Sequence, residues 1–204
     1  MQLSKGVFSV PNLLCFFRVA YIPVMVALFY LDHAFAADHV TWPAWTNLFI
    51  FALAAISDFF DGLIARAFKL TSLFGKFLDS STDKLLVGAA VLCLVAFGKI
   101  SGIWIIAALI ILLREILISG VREFMALYNV VVPISKMGKW KLTLQMFSLG
   151  FFIVGDYGDT VLPYCVTYGK FFLIIATALT IMSGWQYVRE AWATVRRLEA
   201  EGKV

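Results

Sequence analysis

Long apolar runs separated by short polar clusters dominate the pattern of this chain. Dividing it at those clusters leaves six apolar segments, at roughly 12–31, 45–65, 77–98, 102–122, 140–155 and 163–188. A helix needs about 20 apolar residues to cross the hydrocarbon core of a bilayer. The pattern therefore predicts an all-α, polytopic membrane protein built as a bundle of six transmembrane helices.

The first apolar segment has the features of a membrane span. It follows Ser9-Val10-Pro11, a typical helix start, and contains Arg18. Its length and internal charge favour a permanent span over a cleavable signal peptide. Residues 1–10 are predicted to be a juxtamembrane segment at the membrane surface. Because the sequence shows no repeat or long linker, residues 1–204 are predicted to form a single domain.

The composition supports a membrane protein and excludes several other classes. Of the 204 residues, 62% are hydrophobic and 15% are charged, whereas a soluble domain has about 45–50% and about 25%. Three isolated cysteines lack the spacing of a disulfide framework or a metal site. The net charge of +4 comes from Lys and Arg at segment ends, a pattern typical of membrane topology. Membrane lipids are therefore expected as partners, and nucleic acid is not.

The distribution of charge predicts the orientation. Basic residues concentrate at the N-terminus, in the second and fourth loops and at the C-terminus. The opposite side has only two bases and several acids: Lys99, Lys170, Asp32, Asp38, Asp156 and Asp159. By the positive-inside rule, both termini are predicted to be cytoplasmic.

Four aspartates stand out in the second and third apolar segments. Asp58 and Asp61 share a helix face by i,i+3 spacing, and Asp79 and Asp83 share one by i,i+4 spacing. An antiparallel hairpin would bring all four to one depth, roughly 12 Å from the cytoplasmic loop. Carboxylates clustered in a low dielectric need neutralisation, and Mg²⁺ or Mn²⁺ with oxygen ligands would provide it. Two ions would suit displacement at phosphorus; the alternative is that the acids pair with nearby bases.

The complete motif is D-x-x-D-G-x-x-A-R, eight residues, then G-x-x-x-D-x-x-x-D. It resembles the signature of the CDP-alcohol phosphatidyltransferases. The resemblance implies a six-helix membrane enzyme, usually a homodimer, that transfers a phosphatidyl group from CDP-diacylglycerol to an alcohol and releases CMP. It also implies that Asp58, Asp61 and Asp79 bind a metal pair. Asp83 would be the general base and a further metal ligand.

The same resemblance implies a set of CDP-diacylglycerol-binding positions. They are Gly62, Ala65, Arg66, Ser72 and Gly75. Arg66 would add a bidentate phosphate contact, with an interfacial anchor as the alternative. Asn12 is a further candidate for this set, and capping of the first helix is the alternative for it.

The acceptor is predicted from bases elsewhere in the chain. Arg114 and Arg122 share one face of the fourth segment, with Arg114 about 12 Å deeper. A guanidinium at that depth suggests either pairing with the acids or capture of an anionic substrate. Three lysines begin the fifth segment from the same side: Lys136, Lys139 and Lys141. The excess positive charge favours an acceptor that carries its own phosphate. The alternative is that the lysines set topology while bases pair with Glu115 and Glu123.

Further blocks resemble the members of this family whose acceptor is sn-glycerol 3-phosphate. These blocks are Pro11-Asn12-Leu13-Leu14 with Arg18, Arg114-Glu115-Ile116 with Arg122-Glu123, and Gly138-Lys139-Trp140-Lys141 with Thr143 and Gln145. The resemblance implies a bacterial inner-membrane enzyme whose active site faces the cytoplasm. Inositol phosphate and phosphatidylglycerol stay open as acceptors. An ion transporter is the remaining alternative, and it would distribute its acids through the membrane depth.

Overall fold

The structure is a computed structural model that describes residues 10–67, 73–128 and 136–200. Within its helices, side chains are described except at 10–14, 58–67, 73–80, 136–137 and the single positions 83, 127, 139 and 198. The described part contains six α-helices and no strand. They are α1 (Val10–Ala34), α2 (Trp42–Ala67), α3 (Leu73–Ala96), α4 (Trp104–Leu127), α5 (Lys136–Val154) and α6 (Cys165–Ala200). Each helix corresponds to one predicted segment, so the all-α prediction is confirmed.

Several helices extend beyond the apolar runs that predicted them. α5 begins at Lys136, four residues before the apolar run, and α6 continues to Ala200. Lys, Arg, Glu and Ala all have high helix propensity, so the helical hydrogen bonding continues into these polar stretches. Hydropathy therefore locates the apolar part of each helix and underestimates its length.

Within the part of the chain that the structure describes, three helices are long and apolar enough to cross a membrane. The qualifying stretches are Cys15–Ala34, Trp104–Ala126 and Cys165–Arg197. Among the described residues, α2 and α3 contribute the shorter apolar stretches Trp42–Ser57 and Lys84–Ala96. The chain is therefore a multi-pass helical membrane protein. Six complete spans and cytoplasmic termini stay predictions.

The chain divides into two units. The first consists of Met1–Ser101 with Leu149–Thr167, and the second of Gly102–Ser148 with Tyr168–Val204. Within the first unit, α1 packs against both α2 and α3. The Tyr21 hydroxyl of α1 is buried and donates to the Asn47 carbonyl of α2 at 2.9 Å.

An ion pair between a buried aspartate and a partly buried lysine lies where α1, α3 and α5 end in the first unit. The Lys99 ammonium is 2.7 Å from Oδ2 of Asp32, and it donates to the carbonyl of Ile153 at 2.6 Å. Gly155, which follows α5, has a φ of 61°, a conformation that glycine adopts without steric cost. The charge distribution predicted that Asp32 and Lys99 lie on the same side of the membrane, and their contact agrees with that prediction.

The second unit contains α4, most of α5 and most of α6. Ser148 of α5 donates to the Gly169 carbonyl of α6 at 2.8 Å. On the same two helices, the rings of Phe147 and Phe172 lie close together, with centroids 6.2 Å apart. These contacts join α5 to α6 within this unit.

Candidate functional site

The four aspartates of the motif lie on two consecutive helices of the first unit. Asp58 and Asp61 are on α2, and Asp79 and Asp83 are on α3. α2 ends at Ala67 and α3 begins at Leu73, so Asp61 and Asp79 are each about 9 Å along their helix from the connection. The four carboxylates themselves lie outside the described side chains. Their clustering around metal therefore stays a prediction.

The candidate nucleotide-binding positions lie around the same connection. Gly62, Ala65 and Arg66 are in the last two turns of α2, and Gly75 is in the first turn of α3. Ser72 lies outside the described residues. Asn12 lies inside the first turn of α1, because that helix begins at Val10. The side chain of Asn12 lies outside the described ones, so its nucleotide contact and the capping alternative both stay predictions.

Two basic side chains share one carboxylate in the second unit. Nη1 of Arg114 is 3.4 Å from Oε1 of Glu115, and the Lys141 ammonium donates to the same oxygen. The Lys141 side chain is only 1% exposed. We call these three residues the Glu115 cluster. It joins α4 to α5. Its two cations and one carboxylate give it a net charge of +1.

Residues of α6 complete the surroundings of Arg114. Its Nη2 donates to Oγ of Ser183 at 3.3 Å. A Cβ at Gly184 would lie 3.3 Å from Cγ of Arg114. The glycine therefore leaves room for the arginine stem against the α6 backbone, and Ser183 orients one edge of the guanidinium.

The structure brings together two of the five predicted acceptor-binding bases. Arg114 and Lys141 meet at Glu115, while Arg122 is exposed two turns further along α4. Lys136 begins α5, and the side chains of Lys136 and Lys139 lie outside the described residues. The alternative that bases pair with Glu115 is confirmed. That pairing uses two bases for one acid, so it does not account for all of the positive charge.

Two buried polar groups near this cluster were not predicted as site residues. Gln145 of α5 and Tyr187 of α6 are both buried, and neither polar end has a hydrogen-bond partner among the described residues. A glutamine one helical turn beyond Lys141, inside an apolar run, was the available sequence signal. Among the described side chains, no group of His, Cys, Asp or Glu residues could hold a metal.

Comparison with known proteins places the chain in a family. The family model for CDP-alcohol phosphatidyltransferase matches residues 8–182. The chain therefore belongs to the CDP-alcohol phosphatidyltransferase family, which confirms the resemblance seen in the aspartate motif. Enzymes of this family generally use divalent metals.

Individual relatives match over nearly the whole chain. A Rickettsia prowazekii protein is 41% identical over 189 residues, covering 93% of this chain and 97% of the relative. A Cereibacter sphaeroides protein is 31% identical, covering 90% and 95%. An Arabidopsis thaliana protein is 34% identical, covering 94% and 83%. The first two are named CDP-diacylglycerol–glycerol-3-phosphate 3-phosphatidyltransferase, and the plant protein carries that name with the number 2.

Proposed function

We propose that this protein transfers the phosphatidyl group of CDP-diacylglycerol to sn-glycerol 3-phosphate, acting as a phosphatidylglycerophosphate synthase of phospholipid biosynthesis. The products are phosphatidylglycerophosphate and CMP. The observation that carries the choice of acceptor is the Glu115 cluster, in which the buried Lys141 and the partly buried Arg114 share one carboxylate. An acceptor with its own phosphate would supply the missing negative charge. The names of the full-length relatives support the same reaction.

The metal site is assigned to the aspartates of the motif. Carboxylate oxygens are the ligands that Mg²⁺ and Mn²⁺ prefer, so the donor set of Asp58, Asp61, Asp79 and Asp83 fits two such ions. When bound, the ions would neutralise the diphosphate and stabilise the departing CMP. Asp83 would take the proton of the acceptor hydroxyl. The hydroxyl oxygen then bonds to the phosphatidyl phosphorus as the bond to CMP breaks.

The nucleotide end of the lipid substrate is assigned to residues around the α2–α3 connection. Arg66 would make a charge-assisted contact with the diphosphate. Gly62, Ala65 and Gly75 present little or no side chain, which lets a ligand approach the helix backbone. Ser72 and Asn12 are the remaining candidates for nucleotide contacts.

The acceptor phosphate is assigned to the bases of α4 and α5. Arg114 and Lys141 lie inside the second unit, where an unbalanced charge is costly in a membrane protein. Arg122, Lys136 and Lys139 would add attraction for an anion entering from the cytoplasm. Arginine can bind a phosphate through two parallel hydrogen bonds, and lysine provides a compact second charge.

The placement in the cell follows from topology. We infer six spans in the bacterial inner membrane, with both termini and the active site on the cytoplasmic side. The concentration of Lys and Arg in alternate loops supports this orientation. We further infer a homodimer, as the family resemblance implies.

An acceptor panel tests the proposed reaction. The purified protein is incubated with CDP-diacylglycerol, Mg²⁺ and one of glycerol 3-phosphate, inositol phosphate, phosphatidylglycerol, serine or glycerol, and CMP release is followed. We expect rapid release with glycerol 3-phosphate. Faster release with inositol phosphate or phosphatidylglycerol would reassign the acceptor, and no release with any alcohol would refute the enzyme assignment.

Metal removal and aspartate variants test the assigned chemistry in the same assay. Excess chelator should abolish turnover, and added Mg²⁺ or Mn²⁺ should restore it. Replacing Asp58, Asp61 or Asp79 with Asn should each lower the rate of CMP release at least about 100-fold, because one lost ligand disturbs the metal pair.

Asp83→Asn should lower kcat by roughly 10²–10⁴ while retaining more CDP-diacylglycerol binding than Asp61→Asn. Full activity in chelator would contradict the metal assignment.

A further inference from the structure

Gln145 is a buried amide with unused hydrogen-bonding capacity. It is 1% exposed, and within the described part of the chain neither its Oε1 nor its Nε2 has a hydrogen-bond partner. Burying an amide without partners is unfavourable, and a membrane span offers no bulk water to satisfy it. A side chain that can both donate and accept is therefore available to a ligand in the second unit.

The neighbours of Gln145 on α5 show where its helix face is directed. Lys141, Gln145 and Ser148 have i, i+4 and i+7 spacing, so they share one face. Lys141 at one end of this row bonds Glu115 of α4, and Ser148 at the other bonds the Gly169 carbonyl of α6. Gln145 therefore lies on the interior face of the second unit, between the contacts of α5 with α4 and with α6.

Other polar groups near the Glu115 cluster also lack partners. Nε of Arg114 is buried without a partner, and so is the hydroxyl of Tyr187. Tyr187 lies one turn along α6 from Ser183, which accepts a hydrogen bond from Arg114. The cluster thus has excess positive charge, and the neutral groups of Gln145 and Tyr187 near it can donate and accept hydrogen bonds. This combination matches a small molecule that carries both a phosphate and hydroxyl groups.

We propose that Gln145 determines acceptor specificity by hydrogen bonding the secondary hydroxyl of the acceptor while Arg114 and Lys141 hold its phosphate. The inference rests on the proposed function. It assigns a residue to the secondary hydroxyl, the polar group of the acceptor that neither reacts nor carries charge. A hydroxyl needs one donor and one acceptor, and a primary amide provides both. The reacting primary hydroxyl is not assigned to Gln145, because it must give its proton to a base.

A pair of acceptors that differ only in that hydroxyl tests the proposal. Glycerol 3-phosphate is compared with 3-hydroxypropyl phosphate, which retains the phosphate and the reacting hydroxyl but lacks the secondary one. The native protein should favour glycerol 3-phosphate by about tenfold or more in kcat/KM, because the analogue leaves the amide unpaired. Gln145→Met should remove most of this preference by lowering kcat/KM for glycerol 3-phosphate and leaving that for the analogue nearly unchanged.

The control is an amide elsewhere in the same unit. Gln186 of α6 donates to Glu190 at 3.0 Å, and Gln186→Met should retain the native preference. Gln145→Met should also unfold at the same temperature as the native protein or a higher one, because it removes an unsatisfied buried amide. Gln145→Leu provides a second apolar replacement, and it should lose the preference for glycerol 3-phosphate as Gln145→Met does.

Three results would overturn the inference. An unchanged preference in both Gln145 variants would mean that the amide does not contact the hydroxyl. Equal losses with the two acceptors, accompanied by a lower unfolding temperature, would make Gln145 a packing residue. Neither result would affect the proposed function. If the native protein released CMP with neither acceptor, the proposed function would fail and this inference would fail with it.

Discussion

Two lysines of this protein, the partly buried Lys99 and the buried Lys141, each contact a carboxylate, but in different electrostatic surroundings. In the first unit, Lys99 is paired one-to-one with Asp32 and is also bonded to the Ile153 carbonyl. In the second unit, Lys141 shares Glu115 with Arg114. Oδ1 of Asp32 has no hydrogen-bond partner, yet that pair is balanced in charge. The Glu115 cluster has two positive charges and one negative charge, so it is not balanced.

We interpret this difference in charge balance as the difference between a structural pair and the proposed acceptor site. A balanced pair at the ends of three helices has no charge left over for a ligand, so its contribution is to hold those ends together. Two cations with one carboxylate in a membrane interior leave a net charge that an incoming anion would neutralise. The partnerless groups of Gln145 and Tyr187 accompany the unbalanced cluster. Under the proposed function, the unbalanced cluster is the one expected to bind the acceptor.

The largest expected effect is on folding, from Lys99→Met. This change leaves the Asp32 carboxylate buried without its cation and should lower the free energy of unfolding by about 3–5 kcal/mol. Thermal unfolding in detergent measures the loss. KM for glycerol 3-phosphate should stay at its native value in the protein that remains folded. A raised KM with native stability would reverse the roles assigned to the two lysines.

The matched change Lys141→Met should affect acceptor binding and leave stability nearly unchanged. Glu115 keeps Arg114 as its partner, so the unfolding temperature should change little. KM for glycerol 3-phosphate should rise roughly tenfold or more, because a hydrogen bond to a charged group contributes about 1.5–3 kcal/mol. Steady-state CMP release measures KM. If Lys141→Met unfolds as readily as Lys99→Met and its KM is native, the Glu115 cluster is a structural pair as well.

The smallest expected effect comes from removing both charges of the balanced pair. The double variant Asp32→Asn with Lys99→Met leaves no buried charge unpaired, and its stability should return to within about 1 kcal/mol of the native protein. Comparison with each single variant completes a double-mutant cycle. A double variant as unstable as Lys99→Met alone would show that the bond from Lys99 to the Ile153 carbonyl, and not charge balance, stabilises this end.

The helical architecture was predictable because its physical basis is local. Runs of apolar residues long enough to cross a bilayer predict helices directly, and all six appear where expected. The helix ends were less predictable, as α6 shows by continuing to Ala200. Polar residues with high helix propensity extend a helix without altering the apolar pattern from which its length was estimated.

The functional residues differed in how far the sequence could identify them. The aspartate motif has fixed spacing over two helices, and the family comparison confirms the membership that it predicted. The Glu115 cluster depends on contact between α4 and α5, which spacing within one helix cannot show. Sequence analysis could therefore only offer alternatives for Arg114: pairing with the motif aspartates, pairing with Glu115 or Glu123, or anion binding. Gln145 appeared in the sequence only as part of a family-like block, without an assigned role, and its burial is what singles it out in the structure.

The most direct test of the central claim is the discrimination between glycerol and glycerol 3-phosphate by Arg114→Ala, measured as the ratio of their kcat/KM values for CMP release. The native protein should strongly favour the phosphorylated acceptor. Loss of the guanidinium should raise KM for glycerol 3-phosphate about tenfold or more and reduce the ratio accordingly. Arg114→Lys should remain impaired, because an ammonium cannot reproduce the planar fork. A ratio unchanged in Arg114→Ala would contradict the claim that this cluster binds the acceptor phosphate.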